Sequence, residues 1–141
     1  MRKNNLEINV FNSQRKRNLE ISLLEDFLYC LAAKISVRSG FSVRLVSDGV
    51  MRQYNQRFAG KNVSTDVLSF PTTQDWPIET PYVGDILISV EAAERQSRGS
   101  LMTELKALAL HGLLHLLGFD HKQDTGEMNK MESQLRKEFN L

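Results

Sequence analysis

Apolar and polar positions alternate in "LEINVFN", where Leu6, Ile8 and Val10 share one side, the period of a half-buried strand. The pattern then switches. "LEISLLEDFLYCLAAKI" carries apolar residues at helical spacing through Leu19, Leu23, Phe27, Leu31 and Ile35, and Gly40 is read as its stop. "FSVRLVSD" alternates again through Phe41, Val43 and Leu45, and Asp48 can cap a helix from about Val50 to Phe58. A short strand "VLSF" follows Asp66 and closes at Pro71, an irregular loop runs through Pro77 and Pro81, and "VGDILISV" reads as a fourth strand. "EAAERQSRG" forms a short helix ending at Gly99. Ser100 is placed to cap a longer helix, Leu101 to Leu117, that is apolar nearly all round and so belongs at the centre of the core. The last helix begins with the capping-box spacing of Asp124 and Glu127 and carries Met128, Met131, Leu135 and Phe139 along one stripe.

Strands mixed with helices, and too few for a large doubly wound sheet, predict an α+β fold: a roughly four-stranded mixed sheet with helices packed over it around a buried central helix. Strand order is not recoverable from the pattern. The chain has 141 residues, enough for one continuous core, and no repeat or linker divides it, so residues 1–141 are expected to form one domain.

Composition is that of an ordinary globular protein, with 41% hydrophobic and 25% charged residues. The single Cys30 cannot form an internal disulfide, no apolar run approaches the roughly 20 residues that span a bilayer, and the start lacks a secretory apolar core; a cytoplasmic protein is expected. The net charge of +1 hides an asymmetry. Residues 1 to 61 hold 11 Lys or Arg against 5 Asp or Glu, and residues 62 to 141 hold 7 against 12. Such a split suits a basic face for a polyanion and an acidic region around a cation, or else simply scattered solvated charges.

All three histidines fall in "HGLLHLLGFDH". Residues four apart on a helix point the same way, so His111 and His115 project together; Gly118 can end the helix in a left-handed turn and return His121 from outside. Leaving unpaired imidazoles in so apolar a helix would cost about 1–3 kcal/mol per polar group, and coordination of one ion satisfies them. Three protein ligands leave a fourth position for water or substrate, the arrangement of catalytic zinc sites; nickel, copper or iron also accept all-histidine ligation. The spacing HxxxHxxGxxH is that of metzincin zinc peptidases, but Gly112 stands where their general-base glutamate would be. The usual zincin route to peptide hydrolysis is therefore not expected, although the helix-borne metal site is zincin-like.

Three blocks carry a closer resemblance: "STDVLSFP" at Ser64 to Pro71, "GDILIS" at Gly84 to Ser89, and "HGLLHLLGFDH" at His111 to His121. With matching order of the flanking elements, the chain resembles the YbeY family of bacterial endoribonucleases over nearly its whole length. The resemblance implies a metal-dependent, single-strand-specific endoribonuclease of ribosomal RNA maturation and ribosome quality control, acting notably at the 3′ end of the small-subunit RNA. It implies single-stranded RNA, ribosomal RNA and the ribosome as partners, no membrane, and zinc held by His111, His115 and His121.

One departure stands out. Family members usually carry an arginine, implicated in cleavage, where this chain has Ala59. Arg57 lies two residues earlier, with Arg52 and Lys61 nearby, and any of them could present a cation to a phosphate. Arg57 is taken as the catalytic cation, and Arg52, Lys61, Thr65 and Asp66 as substrate-binding candidates. Thr65 and Asp66 serve equally well as an ordinary turn before a strand. Asp85 reads either as a partner of a metal ligand or as a strand polar residue. Asp120, beside His121, could orient a ligand or accept a proton, or only fix the turn. A structural zinc in a ribosome-assembly or RNA-binding factor with weak or no catalysis is the alternative that Ala59 keeps open. A hydrolase of small phosphoesters or amides would call for a deep closed pocket instead.

Overall fold

The computed structural model describes residues 6–72, 82–118 and 126–141. In chain order the elements are β1 (Ile8–Asn12), α1 (Ile21–Lys34), β2 (Gly40–Val46), α2 (Asp48–Ala59), β3 (Val67–Pro71), β4 (Tyr82–Ser89), α3 (Val90–Gln96), α4 (Leu101–Leu116) and α5 (Glu127–Glu138). The α+β expectation holds, as a single domain. The loop expected through Pro77 and Pro81, and Asp124 itself, lie outside the described residues, and α5 starts later than the Asp124–Glu127 capping box implies, with Gly126 in a left-handed conformation as its N-cap and no side-chain cap.

One sheet of order β1-β2-β4-β3 organises the chain. β1 and β4 both run parallel to β2, and β3 is the antiparallel edge strand. Parallel neighbours need long crossovers: α1 provides the one from β1 to β2, and α2 with β3 the one from β2 to β4. The register sets Ser42 opposite Asp85 and Val43 opposite Ile86, so strand alternation divides the sheet into two unlike faces.

The first face, with Ile8, Phe41, Val43, Leu45, Ile86 and Ile88, is largely apolar and packs under α1 and α4. The second is covered only in part by the described residues: Val46 and Leu87 meet Met51 of α2, with Leu68, Phe70 and Tyr54 at the margin. α1 buries Phe27 and Leu31 of the expected stripe and packs Leu19 and Ile35 against the core, but not Leu23. Leu23 is 44% exposed, whereas Leu24, Leu28 and Leu31 are buried. Apolar residues at 23–24, 27–28 and 31–32 make a broad apolar face; packing on α4 and β1 buries both members of the last two pairs and only Leu24 of the first. The helix ends at Lys34, and Gly40 instead opens β2. Cys30 is exposed.

α2 is capped by Ser47, whose Oγ accepts the Val50 N–H at 3.3 Å, rather than by Asp48. Asp48 sits one residue inside the helix and has another job. Its carboxylate accepts bonds from Ser89 Oγ at 2.6 Å, Ser64 Oγ at 3.1 Å and Arg95 Nη1 at 2.5 Å, tying α2 to α3 and to the end of β4. These donors, Arg95 foremost and against the opposing effect of burial, hold the Asp48 carboxyl at about 2. The basic excess of the first half is also partly answered here: Lys16 pairs with Glu91 at 3.0 Å and Arg17 with Glu94, both on α3. Lys16 and Arg17 are thereby held in ion pairs instead of adding to a basic face. Among the described residues, no helix is long and apolar enough to cross a membrane.

Candidate metal centre

α4 is the helix that presents the histidines, and its ends are fixed locally. Ser100 Oγ accepts the Thr103 N–H at 3.0 Å at the start, as expected. At the other end Gly118 adopts φ 95°, a left-handed conformation that a side chain would strain, and its N–H donates to the His115 carbonyl at 3.1 Å. Between the ends, Leu105, Leu110, Leu113 and Leu114 are fully buried between the sheet and neighbouring helices.

Gly112 determines how this helix lies on the sheet. A Cβ there would stand 2.7 Å from Cγ2 of Ile86 and 3.3 Å from Oγ of Ser69. Ser69 also donates its hydroxyl to the Gly112 carbonyl at 3.0 Å, pinning α4 to β3. The position that a peptidase uses for its glutamate thus faces the sheet in this chain, and any side chain longer than hydrogen meets a buried isoleucine.

Turning Gly112 inward brings His111 and His115 out along the flank of α4. Their Nε2 atoms lie 3.0 Å apart, with ring planes at 65°. His111 Nδ1 lies 2.8 Å from Oε1 of Glu132 on α5. A carboxylate can only accept, so Nδ1 carries the proton and Nε2 of neutral His111 carries the lone pair, the state a metal ligand requires. The Glu132 hydrogen bond raises the affinity of His111 for a proton above that of an ordinary imidazole, against the opposing effect of burial; the charges of Glu132 and Asp66 add to it. In return, the bond from His111 lowers the Glu132 carboxyl below its usual range.

Two imidazole nitrogens on a tetrahedral zinc, each about 2.0–2.1 Å from it, stand about 3.4 Å apart. A separation of 3.0 Å is within a few tenths of an ångström of that, so this pair fits a shared divalent ion. Among the described residues no group of three His, Cys, Asp or Glu side chains closes around a metal position. His121 and Asp120 lie outside the described residues.

The other expected site residues fall into two groups. Asp66 stands at the start of β3, where Oδ1 accepts the Val67 N–H at 2.8 Å and Oδ2 accepts from Gln96 at 3.2 Å; its charge is felt at His111. Thr65, beside it, directs its hydroxyl to Asp66 Oδ1 at 3.5 Å. The pair makes a local turn, and its negative charge is felt at His111. Arg52, Arg57 and Lys61 belong to α2 and the loop after it, and α2 packs on the second face of the sheet whereas α4 packs on the first. Arg52 donates to Asn62 Oδ1 at 2.8 Å; Arg57 and Lys61 are exposed, and Ala59 is exposed at the end of the same helix. Asp85 also faces the second side, where its Oδ1 accepts the hydroxyls of Ser42, at 2.5 Å, and Tyr82. It is a strand polar residue rather than a partner of His111 or His115.

Two participants were missed from sequence. Glu132 sits 21 residues from His111, and a faint signal for it existed: on α5 it lies four residues after buried Met128 and three before buried Leu135, an acid at the edge of an apolar stripe. Ser69 lies within Ser64–Pro71, but nothing local distinguishes its hydroxyl from that of any strand serine.

The family model described as Endoribonuclease YbeY matches residues 4–140. The chain belongs to the YbeY family. Endoribonuclease YbeY of Wolinella succinogenes is 40% identical over 134 residues, covering 93% of this chain and 90% of that protein. The Nautilia profundicola member is 34% identical, with 93% and 91% covered. The Helicobacter pylori member is 41% identical over 100 residues, 69% of each chain. Among solved structures, the solution structure of TM1509 from Thermotoga maritima superposes with a TM-score of 0.60 at 25% identity, over 95% of this chain and 92% of that one. YbeY relatives of this length carry the name of RNA-cleaving hydrolases, and the four-stranded sheet with α4 laid across it is the frame on which this chain mounts its histidine pair.

Proposed function

We propose that this chain is a metal-dependent endoribonuclease that hydrolyses single-stranded RNA, in ribosomal RNA maturation at the 3′ end of the small-subunit RNA and in ribosome quality control, in the cytoplasm. The observation that carries the reading is the paired Nε2 atoms of His111 and His115 with Glu132 fixing the tautomer of the first. With His121 as third ligand, these residues would hold one zinc ion; nickel or another divalent ion fits the same donors. A divalent ion held there supplies Lewis acidity toward a phosphate oxygen or water.

The protein's own residues do the rest. Glu132 keeps His111 oriented and, in the neutral ring, leaves the lone pair on Nε2. Gly112 and Ser69 hold α4 against the sheet, so the histidines keep their separation when the strand binds. Asp120, beside His121, is proposed as the proton acceptor, and Arg57, which forms no ion pair among the described residues, as a cation for the RNA backbone with Arg52 and Lys61. Thr65 and Asp66 are proposed to line the approach to the histidines. Residues 1–141 act in this reading as a single catalytic domain.

The second reading, an RNA-binding assembly factor with a structural metal, rests on Ala59, which offers only a methyl group where the family usually has a guanidinium. One experiment separates the two: elemental analysis of purified protein together with cleavage of single-stranded RNA by wild type and His115→Ala. Stoichiometric metal and cleavage, both lost in His115→Ala, are expected. A metal-loaded but inactive wild type supports the assembly factor, and cleavage by metal-free His115→Ala refutes the proposed chemistry.

A further inference from the structure

The part of the second sheet face that α2 leaves uncovered is a cavity of about 510 Å³, the size of a small-ligand site. It lies on the opposite side of the sheet from the histidine pair, and neither family membership nor the proposed hydrolysis uses it. Three aromatic rings make one wall. Tyr54 and Phe58 stack with centroids 5.9 Å apart and planes at 19°, and Phe70 meets Phe58 edge-on at 5.2 Å. Phe58 is 60% exposed, a costly position for so large an apolar ring. Across the cavity the Arg44 guanidinium lies 4.6 Å over the ring of Phe11. Asp85 lines it from β4.

The acid is not a spare charge. Oδ1 of Asp85 takes the hydroxyls of Ser42 and Tyr82, which fixes the carboxylate plane, while Oδ2 accepts no bond among the described residues. An aromatic wall selects a flat π-system, a guanidinium selects an anion, and an oriented carboxylate oxygen selects adjacent N–H donors. We propose that this cavity is a binding subsite for one unpaired guanosine nucleotide of the RNA strand, its base against Phe58 and Phe70, its Watson–Crick edge on Asp85 and its phosphate toward Arg44. Guanine is the base that sets two donors, N1–H and N2–H, side by side. Adenine and cytosine place an acceptor beside their amino group, and uracil flanks its single N–H with two carbonyls, so each turns a lone pair toward the carboxylate. The inference rests on the endoribonuclease reading for its choice of RNA as the strand. Because the sheet lies between the cavity and His111, the bound nucleotide is a remote anchor and not the one cleaved.

The test is titration of the full-length protein with 5′-GMP, AMP, CMP and UMP by calorimetry, for wild type, Asp85→Asn and Phe58→Ala, each variant first shown to be folded by circular dichroism. GMP is expected to bind about tenfold more tightly than the others, the discrimination of one good base-edge contact. Asp85→Asn, which keeps an acceptor for Ser42 and Tyr82, should remove that preference and leave the other three little changed. Phe58→Ala, an exposed position, should weaken all four by a similar factor of about ten. Equal binding of the four nucleotides, no binding of any, or a preference that survives Asp85→Asn overturns the subsite. RNA cleavage without GMP binding removes the subsite, leaves the proposed function standing and points to a protein partner for this face. GMP binding by a protein that does not cleave RNA keeps the subsite and removes the catalytic reading.

Discussion

Replacing Glu132 by glutamine exchanges a carboxylate for an amide of nearly the same shape and so isolates the charge behind the 2.8 Å bond to His111. A hydrogen bond to a charged group contributes about 1.5–3 kcal/mol. Both side chains are partly solvated, 19% exposed for Glu132 and 29% for His111, so the lower end applies, about 1.5 kcal/mol. An amide oxygen can still accept from Nδ1–H, but the amide can also turn its NH₂ group toward the ring, which favours the tautomer that protonates Nε2 and blocks the metal. At about 1.4 kcal/mol per decade, zinc affinity should fall about tenfold in Glu132→Gln and further, toward about a hundredfold, in Glu132→Ala, where no acceptor remains. Competition with a chromogenic chelator at neutral pH measures this directly and does not depend on RNA cleavage. Should Glu132→Gln bind zinc within a factor of two of wild type while His115→Ala binds none, the carboxylate has no part in preparing the ligand and the tautomer argument is wrong.

Two further outcomes follow from the packing. Gly112→Ala gains about 1 kcal/mol of helix propensity but must push a methyl against Ile86, an overpacking that costs about 1–3 kcal/mol, so a net loss of up to about 2 kcal/mol and a melting temperature several degrees lower are expected; a more stable variant would refute the close approach of α4 to the sheet. The Asp48 carboxyl, held at about 2 and so below its unfolded value of about 3.9, contributes stability that is complete above about pH 4 and is lost as the pH falls toward 2. Its size is on the order of 1–2 kcal/mol, since Arg95 is largely exposed. Urea midpoints from neutral pH down to about pH 2.5 should fall less steeply in Asp48→Asn than in wild type; parallel curves would show that Asp48 is not the acid-sensitive link.

What the chain discloses locally, it discloses well. Strand alternation at Ile8 and Val10 and at Phe41, Val43 and Leu45, the Ser100 cap and the left-handed Gly118 all depend on a few neighbouring residues, and all are realised in the fold. The histidine pair is legible for the same reason, being four residues apart on one helix. Strand order is not, because the adjacency of β2 and β4 is a contact between residues about 43 apart, with β3 displaced to the edge. Glu132 escapes notice because packing of α5 on α4, rather than any spacing, carries it to His111. The half-and-half charge split misleads in the opposite direction: Lys16 and Arg17 sit far in sequence from Glu91 and Glu94, and folding neutralises them. In the aromatic wall, Tyr54 and Phe58 are an i, i+4 pair that a helix reading could have found, whereas Phe70 joins them from another element.

Gly112 has a bearing on redesign. A histidine pair four apart fixes where a helix presents its ligands but leaves the helix free to be rolled about its axis, and the residue after the first histidine records which roll was taken. In this chain that position faces the core, where a Cβ would stand 2.7 Å from Cγ2 of Ile86, so its direction is locked by everything α4 packs against. Writing a glutamate there would bury a carboxylate beneath the helix instead of setting it beside the ion. Converting one chemistry into the other therefore requires re-rolling α4 and repacking the whole first face of the sheet, and a single substitution between the two histidines cannot carry a protein across that gap.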